Sequence, residues 1–229
     1  MFNLSIDLTK DKILKSLILF AIPIFISNIF QQLYNTADTM IIGNVLGDSS
    51  LAAIGACTAV YDLLVGFALG VGNGLSIVVA RSYGSKDEVL LKRSVAVAIV
   101  IGIFLTLSIM IISQLGLYPL LQLLDTPSNI INESYSYIST ITLFVSVMFA
   151  YNLCAGLLRA IGNSFIPLVF LIISSVVNII LALLFVIYFK MGVRGAAVAT
   201  VIAQIISLIL FIIYIYKNTP FLIPKKEYF

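Results

Sequence analysis

Six long apolar runs constrain this chain more than any other feature. Each is long enough to cross a hydrocarbon core of ~30 Å at a rise of ~1.5 Å per residue. They lie near residues 14–42, 51–80, 94–116, 135–158, 165–189 and 195–216. In lipid every backbone amide must find its partner within the protein, so runs of this length fold as helices. Charged residues are 10% of the 229 positions, against about 25% in a soluble domain. The predicted fold is therefore an all-α polytopic membrane protein. It has an N-terminal arm over 1–13, a six-helix transmembrane unit over 14–217 and a tail over 218–229. Pro220 and Pro224 stop the last helix there.

Lysine and arginine set the orientation. Lys10, Lys12 and Lys15 precede the first run, and Arg81, Lys86, Lys92 and Arg93 follow the second. Arg159 follows the fourth, and Lys217, Lys225 and Lys226 follow the sixth. The alternate loops hold only Lys190 and Arg194. Positive charge collects on the cytoplasmic side, so both termini are expected there, in a multi-pass protein of the plasma membrane. The net charge of +3 is then a topology signal, and no basic face remains for a nucleic acid. The N-terminus lacks a small-residue cleavage site, so the first run reads as a retained span. Between the third and fourth runs, Pro119 and the Asp125-Thr126-Pro127 turn flank Leu120, Leu121, Leu123 and Leu124. That pattern predicts a short helix lying on the outer membrane surface.

The first run carries an unusual load of polar residues. At ~100° per residue, Ser27, Asn28, Gln31, Gln32, Tyr34, Asn35 and Asp38 fall within about half its circumference. An acid at the centre of a membrane helix costs roughly 2.5–3.5 kcal/mol on insertion scales. The polar side must face protein or a wet cavity. Asp38 reads as a pathway or coupling residue. The amides admit two readings, cavity lining and hydrogen-bonded glue between helices. Pro23 removes one backbone hydrogen bond, which predicts a kink or hinge one turn before Ser27.

Other spans offer neutral polar faces. Ser174, Ser175 and Asn178 share one face, as do Thr200, Gln204 and Ser207, and Ser139, Thr142 and Ser146. Asp62 is a second acid, placed near an outer helix end. Gly66, Gly70 and Gly74 recur at fourfold spacing, which lets another helix approach. The glycines at 70, 72 and 74 lie inside a span with no following GKS or GKT, so they do not make a nucleotide loop. Cys57 and Cys154 sit in apolar runs as packed residues. Histidine is absent, and the pattern shows no metal cluster, cofactor motif or nucleophile–base pair, which argues against an enzyme. No basic residue lies deep in a span, so the interior suits small cationic or amphipathic organic cargo rather than strong anions.

Several of these features occur in a familiar order. Pro23 precedes Asp38, Gly43 and Gly47 lead into LAAIGA, and ARSYGSKD follows the second span. LRAIGNSFIP links spans four and five, and NIILALLFV runs on to MGVRGAAVAT. Over essentially its whole length the chain resembles the N-terminal half of the multidrug and toxic compound extrusion (MATE) family. The resemblance implies one six-helix lobe of a twelve-helix secondary antiporter, which exports organic cations or drugs in exchange for protons or sodium. It implies a second lobe, supplied in cis or by a dimer. It also implies a cation-coupling site in which the first-helix acid matches Asp38, the fifth-helix amide Asn178 and the sixth-helix hydroxyl Thr200. Around them, Ser27, Gln31, Tyr34, Asn35, Asp62, Ser174 and Gln204 are cavity-lining candidates, with Pro23 as the hinge. The family often places a second acid one turn after the amide, where this chain has Ala182. One carboxylate suits a proton better than sodium, which prefers several oxygens and more negative charge. Two alternatives stay open: a lipid-linked sugar flippase of the same superfamily, which should carry Arg or Lys in its cavity, and a non-transporting truncated membrane assembly.

Overall fold

The computed structural model describes residues 13–228. Lys10 and Lys12 of the N-terminal arm lie outside the described residues. Eight α-helices follow in order: α1 (Ile13–Leu46), α2 (Asp48–Tyr61), α3 (Phe67–Gly84), α4 (Glu88–Leu123), α5 (Ile131–Leu143), α6 (Val145–Ala160), α7 (Phe165–Leu183) and α8 (Gly192–Asn218). A π-helical turn, Asp62–Gly66, fuses α2 and α3 into one span, Asp48–Gly84. A second, Leu184–Tyr188, extends α7. Five continuous stretches are long and apolar enough to cross a membrane, and α5 with α6 makes a sixth, bent by 51°.

Local chemistry sets the joints. Gly47 takes φ 88° between α1 and α2, a left-handed conformation that costs a Cβ-bearing residue about 1–2 kcal/mol. Asp87 caps α4, its carboxylate accepting from the amides of Val89 and Leu90 at 2.9 Å each. Between α6 and α7, Gly162 takes φ 83°. Beside it, the Asn163 side-chain oxygen Oδ1 accepts from the Ile166 backbone amide at 3.2 Å, and its Nδ2 donates to the Tyr214 hydroxyl at 3.3 Å. The IGN portion of LRAIGNSFIP is thus a helix start tied to α8.

The bend between α5 and α6 falls at Phe144, where neither Pro nor Gly marks it. Phe144 N–H bonds back to Ile141 in a tightened turn at 3.1 Å. From α4, the Gln114 amide donates to the Ser139 carbonyl at 3.1 Å and to the Thr142 hydroxyl at 3.3 Å. A neighbouring helix therefore satisfies groups exposed at the break. The fourth apolar run, expected as one helix, is a broken span.

Two further expectations need correction. Leu120, Leu121 and Leu123 do not form a separate surface helix: α4 runs through Pro119 to Leu123. Leu117 and Leu121 are buried against Cys57, Val60, Ile131 and Ile138, and this packing holds the last turns in the helix. Nor do Gly66, Gly70 and Gly74 face another helix, because a Cβ at any of them would meet open space. The close approach is made elsewhere. The Phe149 ring of α6 wedges between Gly72 of α3 and Gly102 of α4, where a Cβ on Gly102 would overlap the ring. A Cβ on Gly156 would likewise overlap Ser76.

The core sits where α3, α4, α6 and α8 meet, around Phe149, Met148, Val65, Ala68 and Phe211. Phe104, Leu115, Ile77 and Leu63 point outward, as a lipid-facing surface requires. α1 lies at the edge, packed mainly on α7 and α2, and continues unbroken through Pro23.

Candidate functional site

The interior faces of α1, α2, α3, α6, α7 and α8 enclose a cavity of about 280 Å³. α1 contributes Ser27, Asn28, Gln31 and Tyr34, and α7 contributes Ser174, Ser175 and Asn178. From α8 come Thr200 and Gln204. Their wall is polar because each helix turns its one polar face inward.

At one end these side chains form a network. Thr200 donates its hydroxyl to the Ala196 carbonyl at 3.1 Å. Its lone pairs then accept from the Asn178 amide at 3.0 Å and from the Tyr34 hydroxyl at 3.2 Å. This closes α1, α7 and α8 around a single oxygen. Three acceptors in the same region are left over. Oδ1 of Asp38, Oδ1 of Asn178 and Oε1 of Gln204 are buried without a hydrogen-bond partner among the described residues. An unmet buried acceptor costs about 1–3 kcal/mol, more when charged. All three are oxygens, so a donor hydrogen, from water or an added proton, or a small cation would relieve them. Tyr34 and Tyr137 lie within electrostatic reach of Asp38. Asp38 makes no direct bond to Asn178 or Thr200. Ala182, one turn beyond Asn178, is fully buried and adds no oxygen.

Ser27, Gln31, Tyr34, Ser174 and Gln204 line the cavity, as do Asn178 and Thr200. Asn35 and Asp62 do not. Asn35 turns away and donates to Gln32 Oε1 at 3.3 Å on the exposed side of α1. Asp62 is exposed at the start of the π-turn. Asp38 stands behind the wall, one turn from Tyr34, rather than in it. Ser27 also bonds back to the Pro23 carbonyl at 2.7 Å, a contact within its own helix.

Four polar wall residues escaped the sequence reading: Tyr61, Asn73, Tyr151 and Asn152. So did a charged one. Arg159, expected in a cytoplasmic loop, closes the last turn of α6 and lines the cavity half-buried. The expectation of an interior without a basic residue is therefore corrected. The clue was present, since Asn152 and Arg159 are seven apart and share a helix face.

The MatE family model matches residues 23–184. The chain is 33% identical over 227 residues to "Probable multidrug resistance protein YpnP" of Bacillus subtilis strain 168, covering 96% of this chain and 50% of that protein. It is 30% identical over 214 residues to "Probable multidrug resistance protein YoeA" of the same strain, covering 92% and 46%. The chain thus spans about half the length of the curated relatives it matches. Among solved structures, a multidrug resistance MATE family transporter in an outward-facing conformation superposes with a TM-score of 0.89 at 22% identity, covering 97% of this chain and 49% of the other. A MATE crystal structure in a bent conformation gives 0.84 at 25% identity, covering 94% and 48%. Sequence match and helical fold agree, and the chain belongs to the MatE family, the multidrug and toxic compound extrusion proteins.

Proposed function

We propose that this chain is one lobe of a secondary active antiporter, which exports small amphipathic organic compounds in exchange for a cation, with Asp38 as the coupling carboxylate. The observation that carries the reading is the buried Asp38 oxygen without a hydrogen-bond partner among the described residues, one turn from the Tyr34–Thr200–Asn178 network. Such a group is stable when neutral and demanding when charged. A charged Asp38 draws the Tyr34 hydroxyl away from Thr200. A protonated Asp38 releases it. Tyr34 belongs to α1 and Thr200 to α8, so the exchange of partners moves α1 against the rest of the lobe, with Pro23 as the hinge. Asn178 and Gln204 offer further oxygens should sodium be the ion. Ala182 removes the second carboxylate, which favours a proton. The second lobe comes from the same polypeptide or from a dimer, and the termini face the cytoplasm of a plasma-membrane protein.

A lipid-linked sugar flippase is the second reading, because Arg159 puts a cation in the cavity. One guanidinium is too few to offset a lipid diphosphate, so antiport comes first. The test replaces Asp38 with Asn in the complete transporter, this lobe together with its second lobe, in everted vesicles. Gradient-driven efflux should fall to the level of empty vesicles while membrane insertion is kept. Efflux at the wild-type rate would overturn the proposal.

A further inference from the structure

Among the described residues lining the cavity, Arg159 alone carries a charge. The acid of the lobe, Asp38, is not in the wall. The formal charge in the wall is therefore positive, although the lobe's most conspicuous polar residue is negative. Arg159 has no carboxylate within 4 Å among the described residues, and none of its nitrogens makes a hydrogen bond there. It is half-buried near the end of α6, and Pro167 near the start of α7 lines the same cavity. Tyr151 and Asn152, neutral residues of the same helix, line the cavity with it. Asn152 donates one hydrogen to the Met148 carbonyl at 2.9 Å, and its other groups remain available to a ligand. A guanidinium keeps its charge at any physiological pH, and its planar fork fits a carboxylate with two parallel hydrogen bonds. Even a half-buried cation without a counter-ion gives up part of its solvation. A ligand that brings a carboxylate removes that cost.

We propose that Arg159 is a binding residue for a carboxylate on the cargo, so that among amphipathic, aromatic-sized compounds this lobe binds those with an acid group more tightly. This deepens the antiport reading above and rests on it for the word cargo. Tyr61, Tyr151 and Met148 supply the apolar contact surface, and the amides and hydroxyls across the cavity supply neutral polar contacts. A purely cationic compound binds through those neutral contacts and gains nothing from Arg159.

Rhodamine 110, which bears a free carboxylate, and rhodamine 123, its methyl ester, separate the charge from the ring system. Binding of each dye to the full chain in detergent is followed by fluorescence anisotropy. Arg159→Gln should weaken rhodamine 110 by about tenfold, the scale of a lost charge-assisted pair. It should change rhodamine 123 by less than about twofold, and Arg159→Lys should recover part of the rhodamine 110 affinity. Retained rhodamine 123 binding certifies that the variant is folded. Equal weakening of both dyes, no change in either, or no rhodamine 110 binding by the unaltered chain overturns the assignment. Failure of the antiport reading shows separately, as missing gradient-driven movement in vesicles with dye binding intact.

Discussion

The two sides of the lobe are built on opposite terms. On one side, α3, α4, α6 and α8 meet around Phe149 with backbone pressed to ring at Gly102 and Gly72. On the other, α1 is held at the edge, with 11% of its apolar stretch buried against 44% for α8. The close-packed side has no slack, because interiors at this density register even a methylene. The α1 side packs along α7 and α2 and is tied to α8 by the Tyr34–Thr200 bond. A helix packed along one edge has fewer contacts to lose in a shift than a wall packed on all sides. The acid sits on the loose side and Arg159 on the tight one.

Substitutions can break this contrast or refine it. The largest effect is expected at Gly102→Val, which drives a branched side chain into the Phe149 ring. Overpacking costs about 1–3 kcal/mol or more, so thermal unfolding in detergent should shift downward by several degrees. A variant that melts with the parent would mean Phe149 has room to move. Gln114→Leu comes next. It strips the amide that covers Ser139 and Thr142 at the α5–α6 bend, at an expected loss of about 1–3 kcal/mol. Hydrogen exchange should rise around Ile138–Val145, and unchanged protection there would show that the bend supports itself. The smallest effect is expected at Ser27→Ala on α1. Among the described residues its hydroxyl bonds only within its own helix, so stability should change by no more than about 0.5 kcal/mol, read as a melting point close to the parent's. A loss as large as that of Gly102→Val would end the contrast between the two sides.

Much of this was legible in the chain, and the parts that were not have physical reasons. Apolar length alone outlines the spans, and helical periodicity collects Ser27, Gln31 and Tyr34 on one face. The same rule places Ser174 with Asn178, and Thr200 with Gln204. Asn35 and Asp62 were misjudged because polarity marks a residue as costly without saying which way it is relieved. Asn35 is relieved by Gln32 on its own helix, and Asp62 by exposure. The bend at Phe144 left no mark, since the group that permits it, Gln114, belongs to another helix. In sequence Arg159 looks like a loop charge because Gly162 and Asn163 announce a turn shortly after it. The helix nonetheless runs one residue beyond it, to Ala160. Glycine spacing misled for a similar reason: Gly66, Gly70 and Gly74 repeat regularly, while the contacts fall at Gly72 and Gly102, which share no helix.

The π-turn at Asp62–Gly66 has a consequence for angular phase. In an uninterrupted α-helix, Asn73 would point roughly 120° away from Tyr61, since twelve steps of ~100° overshoot three turns. A π-bulge accommodates one extra residue and takes back about 100°. Asn73 then returns to within roughly 20° of Tyr61, and both line the cavity. One inserted residue thus keeps two halves of a 37-residue span in step. Deleting one residue from that turn would let it close as ordinary α-helix with Asn73 still within roughly 20° of Tyr61, because eleven steps of ~100° make three turns and 20°.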